Sequence, residues 1–320
     1  MTVPTFGDVL LARKRLAPYL ARTPLHRYPA LDDLLGTAAY VKHDNYQPVG
    51  SFKVRGGVNL MSQLGADERR RGVIAVSTGN HGQSVAYAAR LFGVKARIVM
   101  PEGANPGKVA AIRGMGAEVV FHGADFDAAR LHCEDLAQTH GYRYVHSANE
   151  PLLVAGVATL FLEMLEDEPG LEVVFVPVGG GSQAAGACLV AQALKPALEV
   201  IAVQSEASPA ACESWRQGRL VAAPNDTFAE GLAVGMGTAL PQAMIRGSLS
   251  DFVLVSDDQI KQAMVWSIER AHTLAEEAGA ASLAGAYKLR ETLSGKKVGV
   301  VCCGGNVSLQ NLTRALQLGD

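Results

Sequence analysis

The sequence has no apolar run long enough to span a bilayer, no block of like charge and no paired cysteine spacing of the kind that holds zinc. Each absence removes a class of function. Lys and Arg number 29 against 31 Asp and Glu, interspersed along the chain, so there is no basic stripe for nucleic acid and no polybasic membrane anchor. The five cysteines, Cys133, Cys188, Cys212, Cys302 and Cys303, are an odd set in apolar segments, which fits reduced thiols in the cytoplasm. Asp8, Arg13, Lys14 and Arg15 interrupt what would be the apolar core of a secretory signal. No proline- or glycine-rich linker and no internal repeat divides the 320 residues, although their number and 48% apolar content allow two lobes. A soluble cytoplasmic protein with a small-molecule partner is expected.

What is present is a rhythm. Val73–Val76, Ala96–Met100 and Glu118–Phe121 are short apolar runs, each followed by a longer amphipathic segment: 82–92, 107–115 and 124–140. Similar runs return at 173–178, 200–204 and 298–302. Apolar strands alternating with helices predict an α/β protein with parallel sheets. The glycine-rich, weakly periodic stretch from Thr227 to Ser250 reads as a long loop bordering a site.

Four segments carry chemistry. In Ser51-Phe52-Lys53-Val54-Arg55-Gly56-Gly57 a lysine stands among small and apolar residues. A desolvated lysine deprotonates readily, and its neutral amine forms a Schiff base with an aldehyde, the chemistry of a pyridoxal phosphate enzyme. The plainer account is a solvated lysine at a helix start. Gly179-Gly180-Gly181-Ser182 follows a strand and opens a helix, a turn whose amides suit a phosphate or merely pack helix on sheet; it is neither a Walker A loop nor a GxGxxG turn. Ser77-Thr78-Gly79-Asn80-His81-Gly82-Gln83 also opens a helix and suits a carboxylate, with Asn80 able to donate to a phenolic oxygen, or is simply an N-cap. Cys302-Cys303-Gly304-Gly305-Asn306 ends the last strand, where the cysteines read equally as packing residues.

Taken together these segments resemble the fold-type-II pyridoxal phosphate enzymes, and among them the serine/threonine dehydratase and serine racemase family. Ser51 to Gly57 resembles that family's Ser-Phe-Lys-x-Arg-Gly-Ala, Ser77 to Gln83 its Ser-x-Gly-Asn-His-x-Gln, and Gly179 to Ser182 its tetraglycine loop. Met100-Pro101, Pro106, Lys108 and Gly116 to Val120 are similar to the intervening pattern, and Cys303 to Asn306 falls where Ser-Gly-Gly-Asn usually stands. The resemblance implies a two-lobed fold like that of tryptophan synthase β, each lobe an open, mostly parallel sheet flanked by helices. Residues 1–65 and 151–320 would form the large cofactor-binding lobe and 66–150 the small one. It implies pyridoxal 5'-phosphate on Lys53 against Phe52, the phosphate on Gly179, Gly180, Gly181 and Ser182, the phenolic oxygen on Asn80 and the pyridine nitrogen facing Cys303. Ser77, Thr78, Asn80 and His81 would surround the substrate carboxylate, and the assembly would be a homodimer.

The implied reaction is elimination of water from a β-hydroxy amino acid such as L-threonine or L-serine, with 3-hydroxyaspartate and phenylserine as relatives, giving a 2-oxo acid and ammonia. A neutral thiol at Cys303 would leave the ring nitrogen unprotonated and favour elimination over transamination. The rivals are a serine-type racemase with side dehydratase activity, for which Thr78 stands at the acid/base position, and a catalytically silent cofactor-binding homologue. Departures from the pattern are Ser182 for a fourth glycine, Val157-Ala158-Thr159 for Gln-Gly-Thr, and Gln204, Ser208 and Ala210 where divalent-ion ligands are expected. No metal is therefore expected. Only a short helical tail follows Asn306, so no appended regulatory domain is expected.

Overall fold

A computed structural model describes residues 2–317. Among these residues ten strands form two sheets: β1 (Leu25–Arg27), β2 (Ala38–His43), β3 (Val73–Val76), β4 (Ala96–Met100), β5 (Glu118–Phe121), β6 (Arg143–Tyr144), β7 (Val173–Pro177), β8 (Glu199–Ser205), β9 (Asp251–Val255) and β10 (Lys297–Cys302). The larger sheet runs β1-β2-β10-β7-β8-β9 and the smaller β5-β4-β3-β6. All pairings are parallel except that of the edge strand β1 with β2.

The larger sheet is covered on both faces, and its register shows how. A Cβ on Gly285, in the helix Glu277–Lys288, would meet Val203, whereas the amide of Cys212, in the helix Ala210–Gln217, donates to Gln204. Adjacent strand residues point to opposite faces, so these two helices lie on opposite sides of β8. That is why β7 and β8 read as continuous apolar runs. The smaller sheet alternates in the same way: Val73 and Ala75 enter one core with Ile98 and Met100, while Ile74 and Val76 join Val99, Ala129 and Cys133 in another.

The helix Lys53–Met61 belongs by packing to the smaller sheet, since Val54, Val58, Leu60 and Met61 lie in its first core although they precede residue 66. The same helix touches the helix Pro151–Asp167 so closely that a Cβ on Gly56 would lie 3.0 Å from the Leu153 carbonyl oxygen. It is therefore wedged between the two sheets.

One expectation needs correction. The stretch 227–250 is not loop throughout: Ala239–Ile245 is a helix with Leu240, Pro241 and Ile245 buried. Proline at its third position is compatible with a first turn, where amides lack intrahelical partners anyway. All five cysteines are reduced and buried, four of them in the core of the larger sheet and Cys133 in the second core of the smaller.

Candidate active site

The carboxyl ends of strands from both sheets converge. β7 ends in the Gly179–Ser182 turn and β10 in Cys303, and β2, beside β10, runs on toward Lys53; from the other sheet β3 ends at Ser77 and β6 leads to Ser147. Crevices at carboxyl ends of parallel strands are where α/β proteins bind ligands.

Lys53 opens its helix with its ammonium nitrogen 3.4 Å from the Ser147 carbonyl oxygen and 5.0 Å from the centre of the Phe52 ring. Burial pushes its pKa down from 10.5 to about 8, against Cys303 and Glu276, which pull it up. The backbone around it is pinned. Phe52 N donates to the Cys303 carbonyl at 2.9 Å, Ser51 bridges to Gly304, and Ser84 Oγ donates to the Lys53 carbonyl at 2.6 Å.

The glycine turn cannot carry side chains. A Cβ on Gly179 would lie 2.3 Å from the Gly231 carbonyl oxygen, one on Gly180 would lie 2.8 Å from Ala148, and Gly181 has φ +91°. Gly181 caps the helix Ser182–Leu194, whose first amides have no intrahelical acceptor. The result is a bare cradle of N–H groups with a helix dipole behind it. The Ser147 loop packs against this turn and is itself pinned: His146 Nδ1 accepts from the amides of Ala148 and Asn149, and Asn149 Oδ1 accepts from Leu240 N at 3.0 Å.

In the second turn Ser77 Oγ accepts from Gly79 N at 3.1 Å and Gly82 N at 2.9 Å. The His81 ring is directed away, its Nε2 donating to the Val145 carbonyl at 2.9 Å, and burial pushes its pKa down to about 3. Thr78 is half-buried beside it.

Asn80 leads to a residue that sequence reasoning missed. Its Nδ2 donates to Glu276 Oε1 at 2.7 Å, and its Oδ1 accepts from Asn306 Nδ2 at 2.8 Å. Glu276 Oε2 accepts from Asn306 N at 3.1 Å, and Glu276 N donates to the Gly304 carbonyl. Burial, then the adjacent Glu277, pushes the Glu276 carboxyl up to about 7. The only sequence signal was an acidic pair ahead of an alanine-glycine helix, which reads as an ordinary first-turn complement to the helix dipole.

Cys303 is buried just past β10, its thiol pushed well above its ordinary range by burial and by Glu276, so it is a neutral thiol. Cys302 lines a small, mostly apolar pocket with Leu31, Val41 and Leu283. Gln204, Ser208 and Ala210 do not enter this cleft. Gln204 Oε1 accepts from Cys212 N, Ser208 Oγ donates to Asn225 Oδ1 at 2.7 Å, and Ala210 is buried.

The family model described as pyridoxal-phosphate dependent enzyme matches residues 16–304. The chain belongs to this family. This pyridoxal-phosphate dependent enzyme is 36% identical over 316 residues to an L-threonine ammonia-lyase of Thermotoga maritima, covering 98% of this chain and 79% of that one. It is 37% identical over 311 residues to an L-threo-3-hydroxyaspartate ammonia-lyase of Saccharomyces cerevisiae, covering 97% and 95%. Among solved structures, serine racemase of Dictyostelium discoideum superposes with a TM-score of 0.90 at 32% identity, covering 96% and 100%. The two-sheet α/β architecture is that of fold-type-II enzymes.

The residues present fit the cofactor. The first amides of the Gly179–Ser182 turn have no intrahelical acceptor and suit a phosphate, and Lys53 is a desolvated amine. Ser51 Oγ beside the Lys53 segment and Gln183 Nε2 beside Ser182 are buried without a hydrogen-bond partner among the described residues.

Proposed function

We propose that this enzyme is an ammonia-lyase that removes water from a β-hydroxy amino acid and releases a 2-oxo acid and ammonia. The observation that carries the reading is the desolvated Lys53 amine between the bare Gly179–Gly181 cradle and the Ser77 turn, in a chain similar to lyases along nearly its whole length. Pyridoxal phosphate, when bound, supplies the electron sink for a carbanion at Cα. Lys53 would hold it with Phe52 alongside, the Gly179–Ser182 turn would hold its phosphate, Asn80 its phenolic oxygen, and Cys303 would face its ring nitrogen.

The chain's own groups divide the work. The Lys53 amine, lowered to about 8, exists in a usable neutral fraction near pH 7 and accepts the α-proton at Nζ. The hydroxyls of Ser77 and Thr78 and the amides of Asn80 and His81 hold the substrate carboxylate and so fix which Cα bond faces that amine. The neutral Cys303 thiol offers no charge toward the ring nitrogen, which disfavours the side reactions a strongly withdrawing ring would promote.

Release of 2-oxo acid from L-threonine, L-serine, L-threo-3-hydroxyaspartate and phenylserine tests the reading. Turnover of at least one, lost in Lys53→Ala, is expected; no oxo acid from any of the four overturns it. A second reading, racemisation, is favoured by the Thr78 hydroxyl beside the site and by similarity to serine racemase. Chiral analysis of recovered serine distinguishes them. We further infer a large lobe of 1–65 and 151–320, a small lobe of 66–150 with the Lys53 helix shared between their cores, and a homodimer working in the cytoplasm. Sedimentation and fractionation test the last two.

A further inference from the structure

Lys53 and Arg55 sit two positions apart on the first turn of one helix, about 200° around its axis, so they face opposite ways. Lys53 faces the cleft and Arg55 the body of the protein, where it is 2% exposed. There its guanidinium grips two carboxylates at once. Nε and Nη2 donate to Asp44 at 2.7 and 2.9 Å, and Nη1 and Nη2 donate to Glu163 at 2.7 and 2.9 Å. Lys42 completes the group, donating from Nζ to Glu163 Oε2 at 2.6 Å and to the Thr23 carbonyl at 2.7 Å. Two positive and two negative charges are thus removed from water as a neutral quartet.

Stability does not explain this arrangement. Desolvating four charges is unfavourable enough that apolar side chains of the same volume often serve as well or better. A quartet does what apolar packing does not: two bidentate pairs fix one planar group in distance and rotation. Asp44 follows β2 and Glu163 lies in the helix Pro151–Asp167, so both anchors belong to elements around the larger sheet. The helix they hold packs at once against Pro151–Asp167 and in the core of the smaller sheet.

We propose that Arg55 is a positioning residue that registers the Lys53 amine against the larger sheet, where the glycine cradle and Cys303 lie, through its paired grip on Asp44 and Glu163. The proposal rests on the reading of Lys53 as the cofactor lysine. Close backbone contacts make the register unforgiving. A Cβ on Gly156 would lie 2.5 Å from the Arg55 carbonyl oxygen, so the helix has no free path along its neighbour once Arg55 sets its place.

The test compares native holoenzyme with Arg55→Lys and with the charge-free quadruple variant Lys42→Met/Asp44→Leu/Arg55→Met/Glu163→Leu. Arg55→Lys keeps a charge and loses the fork, and risks misfolding because it leaves a carboxylate unpaired. The quadruple variant leaves none of these four charges buried without its partner and is expected to keep the native thermal midpoint within a few degrees. In both, the lysine trapped by borohydride is mapped by peptide mass, and kcat and KM for L-threonine are measured. The expected result is trapping on Lys53 with kcat lowered about 100-fold, as for a misplacement near 1 Å, and KM changed less than threefold, because the Ser77 turn is untouched. A folded quadruple variant with native kcat overturns the proposal alone. Trapping of native enzyme on another lysine overturns it together with the reading of Lys53.

Discussion

Glu276→Gln makes the buried acid of the cleft measurable. In the unfolded chain this carboxyl ionises near 4.5, and in the folded protein burial and Glu277 move it to about 7. Across that window the folded state keeps a proton that the unfolded state releases. The stability it contributes is therefore complete below pH 4.5 and is lost as pH rises through 7. The gap of about 2.5 pH units, at about 1.4 kcal/mol each, sets an upper value of about 3–4 kcal/mol for the loss between pH 4.5 and 8. Glutamine removes that dependence. It still accepts from Asn80 Nδ2, but its amide then faces the Asn306 N–H that Oε2 now accepts, a pH-independent cost of about 1–3 kcal/mol. The variant is expected to be the less stable protein at pH 5 and to draw level with the native enzyme by pH 8. Urea denaturation at half-unit steps, read as the difference between the two proteins, isolates this one group from every other titration. Parallel curves over the whole range would refute the assignment of a raised carboxyl at Glu276.

Four further outcomes follow from the same geometry. Cofactor-free protein should take up pyridoxal phosphate at a rate that rises with pH to a midpoint near 8, since about one Lys53 in ten is neutral at pH 7; a midpoint above 10 would mean a solvated lysine. Gly179→Ala should weaken cofactor retention at least 100-fold, because its Cβ would sit 2.3 Å from the Gly231 carbonyl oxygen; equilibrium dialysis measures this, and retention within tenfold would show that the turn gives way. Cys303→Ser should keep elimination within a few-fold, Cys303→Asp should slow it and raise transamination, and Cys302→Ser should change stability only; an altered visible spectrum from Cys302→Ser alone would move the ring-nitrogen partner by one residue. Exhaustive chelation should leave turnover within twofold, as Gln204 and Ser208 already hydrogen-bond protein partners; a large loss restored by magnesium would contradict that.

The interior of this fold was legible because buried parallel strands are written as unbroken apolar runs. β3, β4 and β5 begin and end at the residues expected, and β7, β8 and β10 do so within one residue. Strands at the margins were not legible. β2 ends in Lys42 and His43, polar residues that resemble surface until the ion quartet and the Tyr28 hydroxyl are seen to receive them. β6 has only two residues, and the helix Ala239–Ile245 hides behind Pro241 and flanking glycines. The same limit governs the site. Lys53, Ser77 and Gly179 announce themselves through local composition, whereas Glu276 gains its meaning from Asn80, 196 positions away. The fork of Arg55 likewise closes on Glu163, 108 positions away, a distance that no window of sequence spans.

The distribution of thiols gives this protein a built-in clock for its own opening. All five are buried as free cysteines, and burial pushes Cys188 and Cys212 up to about 11 and Cys133 up to about 12, so none offers an appreciable thiolate to a labelling reagent while its core is closed. Cys133 reports on the core between β3 and the helix Phe126–His140, and the other four on the layers around β7, β8 and β10. The order in which an alkylating reagent reaches them, read by mass, therefore separates a smaller sheet that breathes on its own from a molecule that opens as one body.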